Sequence, residues 1–186
     1  MSDLEVIRKL FHRDSEVKPD FGLGHSVLRL IESNAQDSSV TLKNIPKDIY
    51  TVKLDSCFHN DNIFAGESGE CSRCDFVIFF IEANKLNIMY VELKQSGGDA
   101  HKIKDQLKGG SVFVKYCAEI IKTFLKENDI MGDYKEHFVA FGNTQSATKR
   151  ATQYGKTDNK NNSPDKFLKV SFPNPKGIPF RSLLAQ

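Results

Sequence analysis

No run of apolar residues in this sequence approaches the roughly 20 that a helix needs to cross a bilayer, so a protein with membrane-spanning helices is not expected. Cysteine is scarce: four among 186 residues are too few for a disulfide framework, and in a reducing compartment they would be thiols or metal ligands. The opening stretch MSDLEVIRKLF lacks a basic segment followed by a continuous apolar block, so no secretory leader is read and a soluble, cytoplasmic protein is the expectation. No helicase motif, phosphate-binding Gly-rich loop or separate recognition domain is present, which leaves targeting to a basic loop or to another protein. Excess charge is lacking too, at a net +2, but its distribution is uneven. From Thr144 onward eight Lys or Arg stand against two Asp, a net +6, which leaves −4 for residues 1–143. A basic C-terminal segment beside an acidic body suits a protein that grips phosphates while its carboxylates hold metal.

What is present suffices for one core, since 39% of the residues are hydrophobic and 14 are Phe, and the length suits one domain. The stretch 74–109, CDFVIFFIEANKLNIMYVELKQSGGDAHKIKDQLKG, organises the rest. Residues 76–81 and 86–93 are rich in aromatic and β-branched types and flank the turn-like Ala83-Asn84-Lys85, the pattern of a β-hairpin followed by a helix. A loop centred between Ala83 and Asn84 pairs residues whose numbers sum to 167. That register sets Asp75 across from Glu92, with Cβ atoms roughly 4.5–5.5 Å apart. Strand alternation then puts Lys94 on the face of Glu92. Like charges opposed on a sheet repel, and a divalent cation taking oxygens from both would compensate.

Asp75, then Glu92-Leu93-Lys94 ending the next apolar strand, then an amphipathic helix, resembles the metal-binding core of the PD-(D/E)xK nuclease superfamily. The resemblance spans about residues 45–143. It departs from the pattern at Cys74, where the superfamily motif has proline. It implies an α/β fold with a restriction-endonuclease-like core, a mixed central sheet flanked by helices, and metal-dependent hydrolysis of nucleic acid, DNA ahead of RNA. Carried onto this chain, Asp75, Glu92 and the backbone carbonyl of Leu93 would hold Mg²⁺ or Mn²⁺, and Lys94 would sit beside the attacking water. Related nucleases direct a Gln or Lys from the following helix toward the cleft, which points to Gln106. They also contribute a carboxylate from an N-terminal helix, which makes Glu32 an ancillary acid by position, although a solvated Glu at a helix end fits as well. The resemblance further implies a homodimer or membership of a larger defence or repair complex.

Around this core, residues 1–34 read as N-terminal helices, one with Leu4 and Ile7 on a common face and one over residues 24–33 with Val27, Leu28, Leu30 and Ile31 inward. Residues 34–48 read as a loop or short edge element, and the alternation of Tyr50, Val52 and Leu54 marks a half-buried strand. After Asp99, a plausible N-cap, the helix carries Ile103, Leu107, Val114, Ala118, Ile121 and Leu125 on one stripe. Gly109-Gly110 lies within it, at a cost of about 2 kcal/mol relative to alanine, so either the helix breaks there or something approaches its backbone. Residues 137–141 read as a closing strand, 144–166 as a basic mobile loop, and 167–186 as a C-terminal strand and tail, all within a single domain.

A second constellation, Cys57-x-His59 and Cys71-x-x-Cys74, supplies four ligands suited to Zn²⁺, though buried thiols and a loop histidine fit the same residues. Lys102 on the helix, and Lys149, Arg150, Lys156 and Lys160 in the basic loop, are candidates for nucleic-acid phosphates. Two readings therefore compete with a nuclease. One is a catalytically silent module that holds nucleic acid or protein; the other is a zinc-stabilised interaction domain.

Overall fold

The computed structural model describes residues 2–32, 39–54, 63–94, 99–143, 161–172 and 177–184. In chain order these form α1 (Asp3–Leu10), β1 (Asp20–Gly22), β2 (His25–Ile31), β3 (Ser39–Lys43), β4 (Ile49–Lys53), β5 (Phe76–Glu82), β6 (Lys85–Lys94), α2 (Ala100–Ile120), β7 (Tyr134–Asn143), β8 (Leu168–Phe172) and β9 (Ile178–Pro179). The strands make two mixed sheets, one of order β4-β5-β6-β7-β8 and one of order β1-β2-β3-β9. The class is mixed α/β, and no described helix is long and apolar enough to cross a membrane.

The β5–β6 hairpin has the expected register, running from Phe76↔Val91 to Glu82↔Lys85. Its two-residue turn places Ala83 at φ 50° and Asn84 at φ 58°, the left-handed pair that matches strand twist. From β6 the chain crosses over through α2 and returns as β7, parallel to β6 with Lys94 beside Gly142. Strand β8 then adds parallel to β7.

Alternation sends the two faces of this sheet into different cores. Val77, Phe79, Ile88, Tyr90, Phe138 and Ala140 pack with Leu4 and Ile7 of α1 and Ile103, Leu107 and Val114 of α2. Phe76, Ile78, Phe80, Met89, Val91 and Phe141 pack with Leu28, Leu30, Val40 and Leu42 of the four-stranded sheet and with Phe180 and Leu183 behind β9. Helices therefore cover one face only. The expected helices lie on that one face, and the second sheet makes a third layer on the other: helices, central sheet, second sheet.

That second sheet occupies residues where a helix and a loop were expected. The segment 24–33 reads as a helix because four of its eight central residues are apolar, but Gly24 sits at φ 79° and closes a hairpin between β1 and β2. Leu28 and Leu30 then point inward while Arg29 and Ile31 point out, a period of two. Strand β3 lies inside its sheet, between β2 and β9, rather than at an edge. Strand β4 was expected half-buried, yet Ile49, Tyr50, Thr51 and Val52 are all buried, because α1 covers one side and the second sheet the other.

Helix α2 runs unbroken through Gly109-Gly110. A Cβ at Gly109 would come within 1.8 Å of the Ser72 carbonyl oxygen, and one at Gly110 within 2.4 Å of Cys74 Sγ. The glycines are a notch for a crossing backbone. Beyond Ile120 the helix widens to a π-helical turn over Ile121–Leu125. The extra residue per turn rotates the stripe, so Leu125, expected inside, is exposed. The end of the expected mobile loop is also ordered: Asn161 is buried and donates to the carbonyls of Phe138 and Leu183 at 3.3 and 2.9 Å.

Candidate functional site

Strand alternation and register bring three charged groups to the helix-facing side of the sheet where β6 ends. Asp75, immediately before β5, is 7% exposed. Its Oδ2 accepts from the Leu93 N–H at 2.6 Å, and its carbonyl accepts from Leu54 N–H at 2.8 Å. Leu93 thereby holds the carboxylate and Leu54 the backbone of Asp75. Glu92 is fully buried. Its Oε1 meets Lys94 Nζ at 2.5 Å, and among the described residues its Oε2 has no hydrogen-bond partner.

Burial, then the negative charge of Asp75, push Glu92 up to about 8, against the pull of the Lys94 ammonium; Glu32 adds a smaller push in the same direction. Glu32 therefore does reach the electrostatic field of this site. It arrives from the end of β2 rather than from a helix, and its Oε2 is buried without a hydrogen-bond partner among the described residues.

Above these groups lies a polar cleft of about 550 Å³. Asp75 and Lys94 line it from the sheet, Lys102, Asp105 and Gln106 from α2, and Cys71, Ser72 and Arg73 from the loop before β5. Asp99 caps α2 by accepting from the His101 N–H at 2.9 Å. This fixes the first turn, and Lys102 and Gln106, four residues apart, share a helix face. The amide oxygen of Gln106 is buried and has no hydrogen-bond partner among the described residues. The other lysines of this turn are engaged: Lys104 pairs with Asp165 at 3.4 Å and Lys108 with Asp105 at 3.6 Å. Among the described residues Lys102 has no such partner, so the basic helix face reduces to one cation at the cleft.

Of the residues singled out from sequence, Asp75, Lys94, Lys102 and Gln106 therefore share one cleft, and Glu92 lies directly behind it. At Leu93 the N–H is brought to Asp75. Among the described residues, no three His, Cys, Asp or Glu side chains form a ready ligand group. The two described members of the cysteine set have separate surroundings. The Cys71 thiol donates to the Phe64 carbonyl at 3.7 Å, while Cys74 is fully buried against Gly110 and donates to the Phe76 carbonyl at 3.4 Å. Burial, with the nearby Glu92 and Asp75, holds the Cys74 thiol well above its ordinary range. Cys57, His59, Lys149, Arg150, Lys156 and Lys160 lie outside the described residues.

Sequence reasoning missed Ser72, Arg73 and Asp105. The signal for the first two was the Gly109-Gly110 pair, which marks where another backbone must cross the helix; Asp105 carried none beyond adjacency to Gln106. A second hollow of about 260 Å³, between the end of α1 and the middle of α2, is lined by apolar groups such as Phe11, Leu54 and Phe113 and holds no carboxylate. Compared with protein-family models, curated proteins and solved structures, the chain matches none.

Proposed function

We propose that this chain is a metal-dependent phosphodiesterase that cleaves nucleic acid, DNA ahead of RNA, on a restriction-endonuclease-like core. One observation carries the reading: Asp75 and Lys94 line a polar cleft, and Glu92, buried directly behind it, meets the Lys94 ammonium. Burying two carboxylates is costly unless charge and hydrogen bonds compensate, and that cost pushes Glu92 toward its protonated form despite the Lys94 ammonium. A hard divalent cation, which prefers oxygen donors, would offset the same cost and hold both carboxylates ionised.

Asp75 and Glu92 would hold Mg²⁺ or Mn²⁺, with the carbonyl of Leu93 as a further oxygen. Such an ion supplies an activated water nucleophile and offsets charge on the phosphate. The protein's own groups do the rest. The Leu93 N–H orients the Asp75 carboxylate before substrate arrives. Lys94, paired to Glu92 but partly exposed to the cleft, offers an N–H to the oxygen that gains charge during attack. Gln106 presents an acceptor oxygen that would orient the water's proton. Lys102 and Arg73 stand where flanking phosphates would pass.

The test is cleavage of supercoiled plasmid and of single-stranded substrates with Mg²⁺ and with Mn²⁺. Asp75→Ala and Lys94→Ala should each lower the rate by at least about 100-fold while leaving the thermal midpoint near that of the parent. If both variants cut as fast as the parent, the assignment is wrong. Metal-independent binding without cleavage by the parent would point instead to a module that holds nucleic acid.

A further inference from the structure

The loop at residues 63–73 forms one wall of the cleft, and it is built rather than slack. The Glu70 carboxylate accepts from the N–H groups of Gly66 and Ser68, each at 2.8 Å. Ser72 N–H closes a turn onto the Gly69 carbonyl at 2.9 Å, and Arg73 Nη1 donates to the Cys71 carbonyl at 3.3 Å. The loop is pressed along α2: Gly69 lies against Asp105, and the backbone at Ser72 and Arg73 fills the Gly109 notch. Its first described residues, Ile63 and Phe64, are 79% and 52% exposed. The Phe64 carbonyl takes the thiol of Cys71 at 3.7 Å, and Cys71 lines the cleft, so the backbone of Phe64 lies one hydrogen bond from the cleft lining, with its ring exposed.

We propose that Phe64, with Ile63 beside it, is a stacking platform for an unpaired base of a single-stranded nucleic acid whose backbone lies in the cleft. The inference names a substrate class for the site and rests on the phosphodiesterase reading only for the bond that is cut. Two features select this occupant. The neighbouring cleft offers Lys94, Lys102 and Arg73 beside Asp75 and Asp105; the three cations suit a phosphate backbone, and an exposed ring near a basic groove is the combination used to hold single strands. The cleft volume of about 550 Å³ is in the range of small-ligand sites, roughly 300–1,000 Å³, which fits a nucleotide or two rather than a duplex. Base pairing, moreover, hides the ring faces that stacking needs.

The chain contains no Trp, so Phe64→Trp introduces a single indole reporter near the cleft. In EDTA, oligothymidylate and oligouridylate should each be titrated against this variant, with a blunt duplex as comparison; the two single strands distinguish DNA from RNA. Quenching of the indole by a single strand is expected. Phe64→Ala should weaken single-strand binding, read by anisotropy, by about 5- to 150-fold, the range for loss of one stacked base, and leave duplex affinity unchanged. Lys102→Ala should reduce the slope of log affinity against log salt by about 0.7.

The proposal is overturned if indole emission is unchanged at oligonucleotide concentrations that saturate anisotropy, or if Phe64→Ala binds single strands like the parent. It is also overturned if an Ile63→Ser/Phe64→Ser double variant turns a dimer into a monomer without altering strand affinity, since the patch is then a contact between copies. Failure here is separable from failure of the hydrolase reading. Quenching in a protein that cuts nothing upholds the platform alone, and cleavage abolished by Asp75→Ala beside an indifferent Phe64→Ala upholds the hydrolase alone.

Discussion

The two faces of the five-stranded sheet are paved with similar apolar side chains, yet they treat polar groups in opposite ways. On the side closed by the second sheet, the polar pair is inward and satisfied: His137 Nε2 meets Asn87 Oδ1 at 3.1 Å, and Asn87 Nδ2 donates to the Lys85 carbonyl at 2.9 Å. The rings of Phe80 and Phe180 meet edge to face at 4.9 Å alongside. On the helix side, Tyr90 and Ser111 both donate to Glu136 Oε1, at 2.9 and 3.0 Å, but at the end of β6 the acids Asp75 and Glu92 crowd with a single ammonium. A sheet gives continuous cover and seals what it touches. Two helices leave a gap beyond the first turn of α2, and the gap holds the cleft. The polar cleft therefore opens on the helix side, while the other side is closed.

The largest stability effect should follow from opening the sealed face. Phe80→Ala is expected to lose about 3–5 kcal/mol by urea unfolding, whereas Asp75→Ala should lose cleavage and little stability; a reversed pattern would break the division. Next is the pH response of the same face. Burial, reinforced by Lys135, pulls His137 down to about 4, so the neutral ring is the one the fold accepts. A depressed histidine contributes stability that is intact above its unfolded value near 6.5 and lost as pH falls toward 4, up to about 3 kcal/mol. Comparing the parent with His137→Gln at pH 7 and pH 4.5 isolates this term, and identical acid sensitivity in the two proteins would refute it.

On the helix side, Gly109→Ala should destabilise by about 2 kcal/mol or more, although alanine favours a helix by about 1 kcal/mol. It should also move the loop wall and impair cleavage, which separates a notch from a mere helix breaker. The smallest effect belongs to neither face. Ala83 holds φ 50° in the hairpin turn, and Ala83→Gly is expected to stabilise by about 1 kcal/mol, measured as a rise in the urea midpoint.

The parts legible from sequence were those set by neighbours along the chain. A two-residue turn fixes one register, so Asp75, Glu92 and Lys94 could be placed on a common face from residue numbers alone, and Asp99 announced the start of α2. The layer opposite the helices was not legible. Val27, Leu28, Leu30 and Ile31 together read as a helical face, while Leu28 and Leu30 alone read as an alternation, and what decides between them is pairing with β3 and, through it, with β9 some 135 residues further on. The loop wall of the cleft was hidden for a related reason: nothing in the residues 71–73 says which helix they cross, and only the paired glycines on that helix hint that one is crossed.

Asn161 fastens the returning chain beside Phe138, five residues back along the strand from which it departed at Asn143. At about 3.3 Å per residue the two anchor points are separated by roughly 17 Å, a span that a handful of residues can bridge. The seventeen residues between them are thus a natural place for length to vary: a short graft there would leave both sheets untouched and make the contribution of that basic stretch separable from everything the folded body does by itself.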